Sequence, residues 1–143
     1  LNALDGSFRS FEQIVLPELT KRGIACLGMK PMGGSAALKS GLKPEELLRY
    51  AMSLPVATTI SGMDSLAVLH KNLRVAREFK PLSADEMQGL RDKCAKVAAD
   101  GRFEPYKVSL RFDNPQARWA HDFPLDSTQK EVKEMLYKEA GGP

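Results

Sequence analysis

The sequence predicts an α/β fold built on a parallel sheet, and two segments carry most of that expectation. Ile24-Ala25-Cys26-Leu27-Gly28-Met29-Lys30-Pro31-Met32-Gly33-Gly34 and Thr58-Thr59-Ile60-Ser61-Gly62-Met63-Asp64-Ser65 each begin apolar and stop abruptly in a Gly-containing loop. A helical pattern follows each one. Parallel strands buried on both faces read this way, with working loops at their C-terminal ends. The third observation is alternation. Strand-like and helix-like patterns succeed one another as β-α-β-α-β-α, the order a sheet with crossover helices requires.

The elements follow in order along the chain. Leu1 to Gly6 is a strand-like opening with no initiator Met and no element before it, so the chain reads as part of a longer protein. Ser10 is an N-cap for a helix from Phe11; Pro17 interrupts and restarts that helix, and Gly23 ends it. Ile24 to Met29 is the first full strand, and residues 30–43 are a loop rich in Gly, Ser and Ala. Pro44 opens a helix with Leu47, Leu48, Ala51 and Leu54 on one face, and Pro55 closes it. Val56 to Ile60 is β-branched enough for the second strand. The next helix covers residues 65–78, with Leu66, Leu69, Leu73 and Ala76 at helical spacing. Ser83-Ala84-Asp85-Glu86 is a capping box. Its helix carries Met87, Leu90, Cys94 and Val97 on one stripe and stops near Gly101. Residues 102–127 read as an ordered tail. Asp126 or Thr128 then caps a last helix with Val132, Met135 and Leu136 inward.

Composition narrows the function classes. A chain of 143 residues is one domain's worth of core, and 43% hydrophobic with 27% charged residues is ordinary for a globular protein. A net charge of +3, scattered among both signs, argues against a nucleic-acid partner. No apolar run approaches the ~20 residues of a membrane span. Cys26 and Cys94 read as reduced core thiols, which points to the cytoplasm. His70 and His121 read as structural or solvated, and nothing has metal-ligand spacing. Neither a Gly-x-Ser-x-Gly elbow nor a Walker loop occurs.

Several stretches, taken in order, resemble the C-terminal part of an aldo/keto reductase. They are Leu1-Asn2-Ala3-Leu4-Asp5, Ser10-Phe11-Glu12, Leu16-Pro17-Glu18-Leu19, Gly28-Met29-Lys30-Pro31-Met32-Gly33, Arg49-Tyr50-Ala51, Ser61-Gly62-Met63 and Lys71-Asn72-Leu73. Asp100-Gly101-Arg102-Phe103-Glu104 resembles a bacterial branch of that family. The resemblance implies the C-terminal portion of a TIM (β/α)8 barrel, about three β/α units plus C-terminal helices. Residues 1–80 would be the β/α units and residues 81–143 a helical extension and tail.

The same resemblance implies a nicotinamide cofactor, NADP with NAD as the alternative, gripped by two loops. Met29, Lys30, Pro31, Met32 and Gly33 match the loop that holds the nicotinamide and pyrophosphate portion. Lys30 offers charge to a phosphate, Gly33-Gly34 allows close backbone approach, and the Met29 sulfur stands where relatives place an aromatic ring. Gly62, Met63, Asp64 and Ser65 match the loop for the adenosine end, and Asn72 matches an Asn that reads the adenine edge. A helix beginning near Ser65 would turn N–H groups toward a phosphate. Val68 falls where many relatives carry an Arg for the 2′-phosphate; Lys71 and Arg74 are the cations that could stand in for it.

The family's catalytic Asp, Tyr, Lys and His come from the first half of the barrel and have no counterpart here, so the chain has no catalytic residue of its own. Tyr50, Tyr106 and Tyr137 fall on helix patterns or in the tail. The expected function is therefore part of an NAD(P)H-dependent oxidoreductase that moves a hydride to a small carbonyl substrate, with the N-terminal half of the same barrel as partner. Phe8, Arg9 and Trp119 are candidates for substrate contact. The alternatives are a catalytically inactive barrel fragment and a nucleotide-binding module; mixing the chain with a separately made N-terminal half separates them.

Overall fold

The computed structural model describes residues 1–108 together with 118 and 120. Two compact units divide the chain, Leu1–Glu104 and Pro105–Pro143. Within the first, the helices form where local chemistry asks for them. Ser10 caps helix α1 (Phe11–Ile14), its Oγ accepting from the Gln13 N–H at 3.1 Å. Pro17 lies in the first turn of α2 (Leu16–Lys21), and Gly23 follows it with φ of 66°. Helix α3 (Pro44–Ser53) starts on its proline, and the Glu46 carboxylate reaches back to the Lys43 N–H at 2.8 Å. Helix α4 (Leu66–Arg77) is capped by Ser65. Helix α5 (Ala84–Ala98) opens on a complete capping box: Ser83 Oγ accepts from the Glu86 N–H, and the Glu86 carboxylate accepts from the Ser83 N–H.

The core lies between α3, α5 and the opening turns of the chain. Leu47 and Tyr50 of α3, with Leu54 just past its end, meet Met87, Leu90 and Cys94 of α5, with Ala3, Leu4 and Leu16 filling the space beside them. Helix α5 packs on two short 3-10 turns, residues 5–7 and 36–40. Phe103 joins the cluster, and the Lys39 ammonium sits 4.4 Å from its ring centroid.

The sheet departs from expectation. Strands β1 (Leu27–Gly28) and β2 (Thr58–Thr59) are adjacent and parallel, with Leu27 opposite Thr58 and Gly28 opposite Thr59. Two residues each is all the pairing they achieve, against the six and five residues expected. Leu1–Gly6 is no strand: residues 3–7 form a turn running into a 3-10 turn, and the Asp5 N–H bonds to the Asn2 carbonyl at 3.0 Å. A C-terminal TIM-barrel portion with about three β/α units is therefore contradicted, because two minimal strands are the only sheet among the described residues.

The physical reason is cover. A parallel sheet holds when both faces are buried, but Leu27 is 63%, Met29 56% and Ile60 44% exposed. Only the opposite face is backed, where Gly28 is buried against Val56. Helix α4 also corrects its reading: none of its residues is buried, and Leu66 is 73% exposed. The last helix expected around Val132, Met135 and Leu136 lies outside the described residues.

Candidate functional site

Both loops expected to hold the cofactor leave the C-terminal ends of β1 and β2. Because these strands run parallel and in register, the two loops emerge at one end of the pair. The Ile60 N–H still bonds to the Gly28 carbonyl at 2.8 Å, so they part only after that point.

The first loop is a run of left-handed backbone. Lys30 has φ of 62°, Gly33 56°, Gly34 63° and Ser35 73°. Lys30 and Ser35 are not glycines, so each holds a conformation that costs about 1 kcal/mol or more unless its surroundings fix it. At Lys30 its own carbonyl is held, accepting from the Gly33 N–H at 2.8 Å and from Asn2 Nδ2 at 3.2 Å, while the Ser35 carbonyl accepts from the Leu38 N–H at 3.2 Å. Gly33 is required twice over, by its φ and by Leu4, whose Cδ1 would lie 3.1 Å from an added Cβ. Gly34 has open space beside it. Among the described residues the N–H groups of Gly34 and Ser35 have no protein partner, and consecutive amides in such a turn form an anion-binding concavity. Pro31 is buried and Met32 half-buried beneath the loop, while Met29 and the Lys30 side chain are exposed.

The second loop feeds α4. Ser65 Oγ accepts from the Val68 N–H at 3.2 Å, and the Leu66 and Ala67 N–H groups keep no partner among the described residues. Gly62, Met63 and Asp64 are exposed. One turn further along, Asn72 Nδ2 donates to Ser61 Oγ at 3.0 Å, tying the helix to the loop. A cavity of about 360 Å3 opens here between α3, β2 and α4. Leu48, Met52, Met63 and Leu73 give it apolar walls; Ser61 and Asn72 give it a polar rim. Its volume is within the range of small-molecule sites, and it is an open groove.

Not all the candidates gather there. Lys71 lines a different cleft with Arg49, Arg74 and Lys80, and Val68 is half-buried on α4. The Arg9 guanidinium lies 5.3 Å from the Phe8 ring centroid. Trp119, His121 and Tyr137 lie outside the described residues.

Three features had no signal in the sequence beyond residue type. Asn2, fully buried, bridges the opening turn to the first loop: Oδ1 accepts from the Leu4 N–H while Nδ2 holds the Lys30 carbonyl. Asp5, also buried, accepts from the Phe11 and Glu12 N–H groups and the Ser10 hydroxyl. The Tyr50 hydroxyl donates to Glu12 at 2.6 Å and accepts from Arg91 Nη1 at 3.3 Å, while Arg91 also bonds to Glu12 at 3.0 Å. Burial, then the Glu12 carboxylate, push the Tyr50 phenol far above its ordinary value.

Among the described residues no group of His, Cys, Asp and Glu could hold a metal ion, and no helix is long and apolar enough to cross a membrane. Compared with protein-family models, curated proteins and solved structures, the chain matches none.

Proposed function

We propose that this chain is the cofactor-gripping part of an NAD(P)H-dependent aldo/keto reductase. The observation that carries the reading is the emergence of two Gly-containing loops at one end of a parallel strand pair, with Asn72 tied to the second. The residues fit an adenine nucleotide. Asn72 uses one N–H on Ser61, which leaves its Oδ1 and second N–H for an adenine edge, the pairing amides make with that base. The unpartnered N–H groups of Leu66 and Ala67 at the start of α4, and of Gly34 and Ser35 in the first loop, are suited to phosphate oxygens. The exposed Lys30 adds a mobile positive charge.

When bound, the cofactor supplies the hydride that reduces a carbonyl carbon. This chain binds and orients it; the proton donor belongs to another part of the enzyme, and the isolated chain is inactive. The cytoplasm is the proposed setting, since Cys26 and Cys94 are both free thiols. Fluorescence titration with NADPH and NADH tests the reading. Asn72→Ala and Lys30→Ala should each weaken binding, and Val68→Arg should shift preference toward NADPH by supplying a guanidinium fork. Equal affinities for all three variants and the parent chain would remove the loops from cofactor binding. Binding of ADP as tight as that of NADPH favours a general nucleotide module instead.

A further inference from the structure

A second cleft, of about 640 Å3, opens between α3 and α4. Arg49 comes from α3, Lys71 and Arg74 from α4, and Lys80 from the segment that follows; Glu45 and Glu78 are its acidic members. Four cations against two carboxylates leave a surplus of two, in a chain whose whole formal net charge is +3. Glu45 and Arg49, like Arg74 and Glu78, stand at the i,i+4 spacing where helical ion pairs form readily. Neither pair closes. Arg22 pairs with Glu18, Arg91 with Glu12 and Arg102 with Asp100, but among the described residues no ion pair involves this cleft. Arg49 Nη2 donates to the Lys80 carbonyl at 3.3 Å, which anchors the guanidinium and leaves most of its five N–H donors unused.

Arg49 also feels the Glu86 carboxylate, but among the described residues no ion pair closes on Lys71, Arg74 or Lys80, and an anion relieves their mutual repulsion. We propose that this cleft binds a small oligophosphate-bearing ligand. Arg49, Lys71 and Arg74 hold the phosphate oxygens, and Glu45 and Glu78 accept hydrogen bonds from the ligand's hydroxyl groups. Arginine forks suit phosphate geometry, and the cleft volume exceeds what a single inorganic ion needs. The site does not depend on the loops holding a nucleotide.

Calorimetric titration of the full 143-residue chain with inorganic pyrophosphate in low-salt buffer tests it. A saturable isotherm is expected. The double variant Lys71→Gln/Arg74→Gln should weaken it about ten-fold or more, as for lost charged hydrogen bonds. Lys96→Gln, which removes an exposed charge on α5, should leave it unchanged. Arg74→Gln alone should still weaken it several-fold, so the outcome does not hang on the folding of the double variant, which circular dichroism checks. The proposal is overturned by the absence of saturable binding, by a double variant that binds as the parent does, or by Lys96→Gln weakening binding equally.

Discussion

Tyr50 joins parts of the chain that are distant in sequence: Glu12 lies 38 residues before it and Arg91 lies 41 residues after it. Tyr50→Phe leaves the Glu12 carboxylate and the Arg91 guanidinium a partner short in a half-buried place. The expected cost is about 1–3 kcal/mol, read as a lower urea midpoint. The pH dependence has a definite sign. The unfolded chain releases this proton near its ordinary value of 10.0, while the folded chain retains it. Stability is therefore intact below pH 10 and falls as pH rises beyond it. In a spectrophotometric titration of the three tyrosines, one should resist ionisation until the chain unfolds, and Tyr50→Phe should abolish that fraction.

Cysteine reactivity checks the core at the same scale. Cys94 is fully buried, and burial raises its thiol above the ordinary range, whereas Cys26 is half-buried. One thiol should react with a disulfide reagent in the native chain and the second only on unfolding. Cys94 was readable from the sequence as a core thiol, Cys26 is only half-buried at the edge of the core, and the Glu12–Tyr50–Arg91 cluster was not readable at all. A polar contact across such separations leaves no periodic trace, so the sequence places Tyr50 on a helix pattern and says nothing of its partners.

At the scale of elements, the starts of helices were the most legible feature, because capping is local chemistry. Ser10, Pro17, Pro44, Ser65 and Ser83 all stand at helix starts as their residue types require. The capping box of α5 gives a measurable consequence. Ser83→Ala should cost about 1 kcal/mol of stability by chemical denaturation. Hydrogen bonds from the Ser83 backbone and side chain hold the Glu86 carboxyl below its ordinary value of 4.5. Its contribution is thus present above that value and fades as pH falls below it, so parent and Glu86→Gln chains should converge in helicity in acid. The strands were less legible for the opposite reason. Ile24–Met29 and Val56–Ile60 have strand composition, but the length of a strand is set by the neighbours that cover it. Composition cannot say whether those neighbours are present.

For the whole molecule, the same distinction decides which residues hold the fold. The apolar stripe of α3 and α5 is buried, and Leu27 of β1, Ile60 after β2 and the apolar residues of α4 are not. Sequence hydrophobicity alone ranks Leu27 and Leu47 alike; their surroundings rank them far apart. Leu47 is completely buried among Tyr50, Leu90 and their neighbours, so Leu47→Ala removes both transfer energy and packing, about 2–5 kcal/mol. Leu27 is largely exposed, so Leu27→Thr removes little buried area and keeps a β-favouring residue in the strand; its effect should stay within about 0.5 kcal/mol. Urea denaturation of the two variants compares them directly. Amide exchange should give the same ranking, with protection concentrated in α3 and α5 and the N–H groups of β2 exchanging early. A large loss from Leu27→Thr would mean that the exposed face of the strand pair is covered in solution, and the architecture described for the isolated chain would need a partner to complete it.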